Sequence, residues 1–303
     1  MDSSAYFTAI TYTSLGLSVL GLILNTIFIY SIINSKKLLI IDNAFNLNIA
    51  IADVLICGFI MENNLLDIAA PGFRLGTSLK CNFNAVMLQF INSVPVVSLL
   101  AMVVYHYFRV VHEWRHVNQL HIVMSLCFIW LLCLSTALIP VFFIDNYFVL
   151  QPSKLWCGVD LVSSKLSHKV MGISLCSGYL VVLLVILWAY YGIWAKVHRV
   201  KESLSIFEHV NVRQLEMDII HRGAVIFISF NLVWILLVVA TFLIQGVICY
   251  TLATARWVAA PIDGLAIFLS RASPVVNAVV YLSLDKAYQD SFRKLWRSIL
   301  SGD

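Results

Sequence analysis

The sequence predicts an all-α membrane protein, a seven-transmembrane helix bundle followed by a short amphipathic C-terminal helix. Three observations predict it. Of 303 residues, 61% are hydrophobic and 12% are charged, about half the charged fraction of an ordinary soluble domain. The apolar residues arrive in seven long runs. Lys and Arg, in turn, are shared unequally between the two sets of connections between those runs.

The runs lie at about 8–34, 43–63, 83–111, 119–144, 167–195, 218–248 and 257–283. Each is long enough to cross roughly 30 Å of hydrocarbon as a helix. Helices are required because lipid offers backbone N–H and C=O groups no partners, and no barrel-like alternation is present. The connections are short, with no internal repeat, low-complexity stretch or soluble domain, so residues 1–303 read as one unit. Met1-Asp2-Ser3 lacks a basic n-region, so no cleavable signal peptide is expected and the first span serves as its own insertion signal.

With the N-terminus outside, Lys36, Lys37, Arg109, Arg115, Lys196, Arg199, Lys201, Arg213, Arg222, Lys286, Arg293, Lys294 and Arg297 face the cytoplasm. The outer side then holds Arg74, Lys80, Lys154, Lys165, Lys169 and Arg256, while Arg271 falls within a span. This thirteen-to-six split predicts an N-outside, C-cytoplasmic multi-pass protein of the plasma membrane. Residues 285–300 place Tyr288, Phe292, Leu295 and Trp296 at helical spacing among Lys and Arg, the pattern of a helix lying on the inner membrane surface. The lipid bilayer is therefore the first expected partner. No Lys/Arg-rich tract points to nucleic acid. Neither a GxSxG nucleophile elbow nor paired membrane aspartates appear, and an enzyme is not expected.

Of the seven cysteines, Cys57, Cys127, Cys133, Cys176 and Cys249 lie in or near spans. Cys81 and Cys157 fall at outer segments in an oxidising compartment. They are either two free thiols or a disulfide tying the third span to the second outer loop; the compartment favours the disulfide. In the chain-entropy picture it contributes about 4 kcal/mol.

An ordered set of motifs from about residue 20 to 297 resembles rhodopsin-type (class A) G-protein-coupled receptors, opsins above all. Asn25 matches the first-span asparagine. Leu47-Asn48-Ile49-Ala50-Ile51-Ala52-Asp53 is similar to the family's LNLAxAD. Trp130 matches the fourth-span tryptophan, and Cys157-Gly158-Val159-Asp160 resembles the opsin CGID. Tyr191-Gly192 resembles the end of the fifth span. Glu216, Phe230 and Trp234 keep the sixth-span spacing, and Asn277 with Tyr281 resembles NPxxY. The resemblance implies the seven-helix fold and an ion and water network of Asn25, Asp53 and Asn277, with Asp53 a candidate sodium ligand. It also implies a G-protein-side switch of Tyr105, His106, Tyr107, Tyr191, Glu216 and Tyr281.

The departures bear on mechanism. The DRY triplet becomes Tyr105-His106-Tyr107. The sixth-span CWxP becomes Val233-Trp234-Ile235-Leu236, and NPxxY becomes Asn277-Ala278-Val279-Val280-Tyr281. Pro95 and Pro274 sit in spans where they relocate helix kinks. Six residues before Asn277, where opsins keep the Schiff-base lysine, stands Arg271. Guanidinium stays protonated and cannot serve as an amine nucleophile. The remaining lysines lie at loops, span ends or the tail, so covalent retinal is disfavoured and no cofactor is expected. Asn84, at the opsin counter-ion position, is neutral.

An arginine within a span is a functional-site candidate by default. It is either a structural ion pair, with Glu62 in the second span or Asp263 two turns outward, or an anchor for an anionic ligand group. Arginine presents a bidentate fork to such a group. The resemblance places Asn84, Gln89 and Asn92 of the third span, with Trp234 below, around the same cavity. The expected function is a receptor that binds an extracellular small molecule non-covalently and signals to a heterotrimeric G protein. A non-signalling decoy or regulatory relative is the alternative, favoured by His106 and the missing sixth-span proline. An opsin-like photoreceptor is the second alternative, opposed by Arg271.

Overall fold

The computed structural model describes residues 3–35, 43–70, 78–114, 118–144, 146–151, 155–159, 165–204, 256–284 and 286–301. Its helices are α1 (Ser3–Asn34), α2 (Ala44–Ala69), α3 (Ser78–Val111), α4 (Gln119–Phe143), α5 (Leu166–Leu204), α6 (Arg256–Leu284) and α7 (Lys286–Ser301). The first five helices coincide with the first five expected spans, α6 with the seventh, and α7 with the surface helix. The expected sixth span, 218–248, lies outside the described residues, together with Glu216, Phe230 and Trp234. Five of the described helices are long and apolar enough to cross a membrane, over Thr8–Asn34, Ala44–Ala69, Leu79–Val111, Gln119–Phe143 and Ser177–Arg199.

The helices outrun the apolar segments that announce them. Helix α2 continues beyond residue 63 to Ala69, and α5 continues beyond residue 195 to Leu204. A helix satisfies its own backbone, so it extends past the hydrocarbon wherever nothing breaks it. What stops α3 is visible. The Trp114 and His112 N–H groups both donate to the Phe108 carbonyl at 3.2 Å, and Glu113 adopts φ 54°. The Trp114 ring packs edge-on against Phe108 at 5.7 Å. The helix thus ends on a left-handed residue that is not glycine, with both N–H groups turned back on one carbonyl and an apolar contact across the turn. Helix α4 starts on a side-chain cap, with Asn118 Oδ1 accepting from the His121 N–H at 3.1 Å.

Close helix approach depends on small residues, because dispersion and interhelical hydrogen bonds, not hydrophobic burial, hold helices together in lipid. A Cβ on Gly21 would stand 2.6 Å from Cys57 Sγ and 3.6 Å from Pro274 Cβ, so α1 meets α2 and α6 through this glycine. A Cβ on Gly192 would stand 2.5 Å from the Tyr107 ring, which seats α5 on α3. One apolar core joins α2, α3, α4 and α5 through Phe45, Ile49, Val94, Leu99, Ile129 and Ile186. Polar bonds cross it: Trp130 Nε1 donates to Asn48 Oδ1, and Asn48 Nδ2 donates to Ser98 Oγ, each at 2.8 Å. At the C-terminal ends of α1 and α6, Phe28 stacks on Tyr281 at 5.0 Å and lies 4.8 Å from Tyr288, tying α1, α6 and α7 together. Ser291 Oγ donates to the Ser31 carbonyl at 3.3 Å, so α7 docks along α1. Outward, leucines and phenylalanines of α4 such as Leu131, Phe142 and Phe143 remain exposed, as a lipid-facing surface requires.

The all-α expectation gains one addition. Between α4 and α5, strands β1 (Phe148–Leu150) and β2 (Cys157–Val159) pair antiparallel, with Phe148 opposite Val159 and Leu150 opposite Cys157. Cys81 and Cys157 form a disulfide with Cα atoms 5.4 Å apart, which pins this hairpin to the N-terminal end of α3. The two-free-thiols alternative therefore falls.

Candidate functional site

Arg271 sits in the interior of α6 and is 4% exposed. Its Nη1 donates to Ser14 Oγ on α1 at 2.7 Å and reaches Asn64 Oδ1 on α2 at 3.5 Å. Asn64 Nδ2 in turn donates to Ser14 Oγ at 2.9 Å, and Ser18 Oγ donates to the Ser14 carbonyl at 2.8 Å. A buried polar cluster thus joins three helices, with the guanidinium bonded to neutral side chains. Glu62, the ion-pair partner expected from the sequence, is exposed. It stands two residues before Asn64, about 200° around the same helix, so the face that brings Asn64 inward turns Glu62 outward. The side chain of Asp263 lies outside the described residues.

Ser14 and Asn64 were absent from the expected site. A signal existed in the first span, where Ser14, Ser18, Gly21 and Asn25 recur at steps of four, three and four. That is a polar and small stripe on an otherwise apolar helix.

The three third-span amides do not share one face. Asn84 is buried, Asn92 is half-buried, and Gln89 Nε2 reaches the Thr136 carbonyl of α4 at 3.5 Å. Gln89 lies about 140° around the helix from Asn84, which carries it to the α3–α4 seam. Trp234 lies outside the described residues.

Deeper in the bundle, Asn277 Nδ2 donates to Asp53 Oδ2 at 3.0 Å, and both residues are buried. Asn25 joins differently from the expected network. Its Nδ2 donates to the Gly21 carbonyl at 2.9 Å and the Pro274 carbonyl at 3.0 Å. It thereby cross-links α1 to the backbone of α6 one turn from Asn277.

Near the C-terminal end of α3, Tyr105 is packed against Phe45 with ring centroids 6.0 Å apart and accepts a hydrogen bond from Arg109 Nη1 at 3.1 Å. His106 is half-buried, 5.3 Å from the Tyr105 ring. Tyr107 lies 4.5 Å from Trp188 and fills the space above Gly192. Tyr281 is buried in the aromatic stack with Phe28. Tyr191, expected in the switch, is 67% exposed and, among the described residues, lies beside Trp194 of its own helix, whereas its neighbour Tyr190 turns into the core. One residue is about 100° of helix rotation, enough to exchange the two. Glu216 lies outside the described residues. An ion pair is present nearby, Lys196 Nζ to Glu113 Oε1 at 3.1 Å.

The chain contains one string of zinc-hydrolase form, His112-Glu113-Trp114-Arg115-His116. HExxH chemistry needs both histidines on one helical face. Here α3 ends at Val111, Glu113 is left-handed, and its carboxylate is engaged by Lys196. Among the described residues no group of three or more His, Cys, Asp or Glu side chains is placed to hold a metal.

A helical bundle with a disulfide-anchored hairpin at one end, a buried Asp–Asn pair at its centre and an aromatic stack at the other end is the framework of a seven-helix membrane receptor. The chain belongs to the 7 transmembrane receptor (rhodopsin family), whose sequence profile matches residues 24–281. It is 24% identical over 288 residues to melatonin receptor type 1B of Rattus norvegicus, covering 91% of this chain and 73% of that protein. It is 22% identical over 288 residues to rhodopsin of Sminthopsis crassicaudata, covering 90% of this chain and 77% of that one. Its fold matches the crystal structure of squid rhodopsin with a TM-score of 0.79 at 17% identity, over 99% of this chain and 87% of that chain. The similarity therefore extends from opsins to a melatonin receptor.

Proposed function

We propose that the chain is a ligand-activated plasma-membrane receptor, with its N-terminus outside, that signals to a heterotrimeric G protein. Its ligand is a small molecule, bound non-covalently, with an anionic group engaged by Arg271. The observation that carries this reading is the buried guanidinium of Arg271 in the Ser14–Asn64 cluster, at the position where the resemblance to opsins places an amine. An arginine cannot form the Schiff base, while it can bind carboxylate or phosphate through charge-assisted bonds. Asn84 and Asn92 line the proposed pocket, and Asp53 with Asn277 is the proposed sodium site. The similarity to a protein named as a melatonin receptor favours a ligand receptor over a photoreceptor.

The test is nucleotide exchange on a panel of purified G proteins, with the purified chain and a set of small organic acids. Acid-dependent exchange that Arg271→Gln removes supports the proposal. Saturable acid binding without exchange on any G protein favours the second reading, a non-signalling relative, for which His106 in place of the DRY arginine is the specific observation.

A further inference from the structure

The hairpin carries an aromatic side chain that lies between its own Gly158 and the helices. Leu155 is buried against Ile10 of α1, and Trp156 packs on that pair. The indole also packs on the apolar cluster of Ile56, Ile60, Leu88 and Ile91 between α2 and α3. The backbone holds it there. Cys157, the next residue, is bonded to Cys81, and the Gln151 N–H donates to the Trp156 carbonyl at 3.0 Å. Gln151 Nε2 donates to the carbonyls of Val149 and Val159, each at 3.2 Å, closing the hairpin. Position 158 is shaped to the ring: a Cβ on Gly158 would stand 2.5 Å from Trp156 Cζ3 and 2.6 Å from Cη2.

This recess adjoins the Arg271 cluster. Ile10 and Ser14 are one helical turn apart on α1, and Ile60 and Asn64 are one turn apart on α2, so each pair shares a face. The same two helices thus present an apolar recess and a buried polar cluster side by side.

We propose that this recess is a binding subsite for a flat aromatic group, filled here by the chain's own Trp156. The ligand is then an aromatic acid whose ring takes the place of the indole while its anion meets Arg271. The aromatic half rests on the packing of Trp156 and Gly158; the anionic half rests on the function proposed above.

The experiment uses the full chain purified in lipid nanodiscs, with indole and indole-3-acetate as probes and thermal melting as the readout. Trp156→Ala vacates the recess, and Gly158→Ala pushes the ring out without removing it. Each is expected to lower the melting temperature by about 5 °C. Each should then regain stability saturably with indole, since an emptied apolar cavity takes up an aromatic guest. Wild type should show no response at the same concentration. The double variant should respond as Trp156→Ala does. Indole-3-acetate should stabilise Trp156→Ala more than indole does, and adding Arg271→Gln should remove that advantage.

If indole stabilises neither variant beyond wild type, the subsite is overturned. Equal effects of the two probes leave the aromatic subsite standing and remove the anionic half, and with it the role of Arg271 in ligand binding. Should Trp156→Ala fail to yield disulfide-linked protein, Gly158→Ala and Trp156→Phe carry the test. Gly158→Ala must gain the indole response, and Trp156→Phe, which keeps an aromatic occupant, must not. The opposite pattern overturns the proposal.

Discussion

Replacing Arg271 with alanine separates two accounts of a charge inside a membrane bundle. The short bond from Nη1 to Ser14 Oγ, at 2.7 Å, is lost; the reach to Asn64 at 3.5 Å is at the edge of hydrogen bonding and adds little. Bonds to charged groups contribute about 1.5–3 kcal/mol, and interhelical bonds within bilayers reach about 1.7 kcal/mol at most. About 1.5 kcal/mol is therefore expected from this contact. Ser14 Oγ keeps a partner, since Asn64 Nδ2 still donates to it at 2.9 Å. An ion pair would behave otherwise, because stranding a buried carboxylate costs about 3–5 kcal/mol. The assay is reversible chemical unfolding in mixed micelles of Arg271→Ala, Ser14→Ala and the double variant, closed as a cycle. A coupling of about 1.5 kcal/mol supports the geometry. A coupling below about 0.5 kcal/mol refutes it. Loss of all surface-expressed protein in the single variant refutes the neutral-partner account and restores a carboxylate partner.

Further expectations follow from the same contacts. Gly21→Val places a side chain against Cys57 and Pro274 and should cost about 1–3 kcal/mol by overpacking, measured as a lower melting temperature; an unchanged melt would show that α1 does not approach α2 and α6 so closely. Retinal followed by borohydride should leave no retinyl-lysine on the chain, whereas a band that acid shifts to protonated-Schiff-base wavelengths would restore the photoreceptor reading. Epitope tags at the N-terminus and after Asp160 should be labelled on intact cells and a tag at Asp303 should not, the reverse pattern inverting the orientation drawn from Lys and Arg.

Much of the architecture was legible without coordinates. Lipid denies every backbone group an outside partner, so apolar run length alone predicts where helices form. The pairing of Cys81 with Cys157 was likewise readable, because both lie at outer segments in an oxidising compartment. Arg271 announced itself by being a guanidinium in hydrocarbon, a local oddity visible in one dimension.

What the sequence left open is azimuth, the direction in which each side chain leaves its helix. Glu62 against Asn64, Tyr191 against Tyr190 and Gln89 against Asn84 each turn on a shift of one to five residues. At about 100° of rotation per residue, the wrong choice exchanges bundle interior for lipid or for another seam. Only the tertiary structure decides these, since the face a helix buries is set by its neighbours. Arg271 finds Ser14 across 257 residues of chain because Gly21 lets α1 lie against α6. The placement of Trp156 is of the same kind: nothing in residues 155–159 names α2 and α3 as its surroundings. The sequence by itself determined where the described helices lie, their membrane setting and the presence of a buried cation. The tertiary structure decided what that cation touches, because its partners lie on helices distant in the chain and adjacent only in the packed bundle.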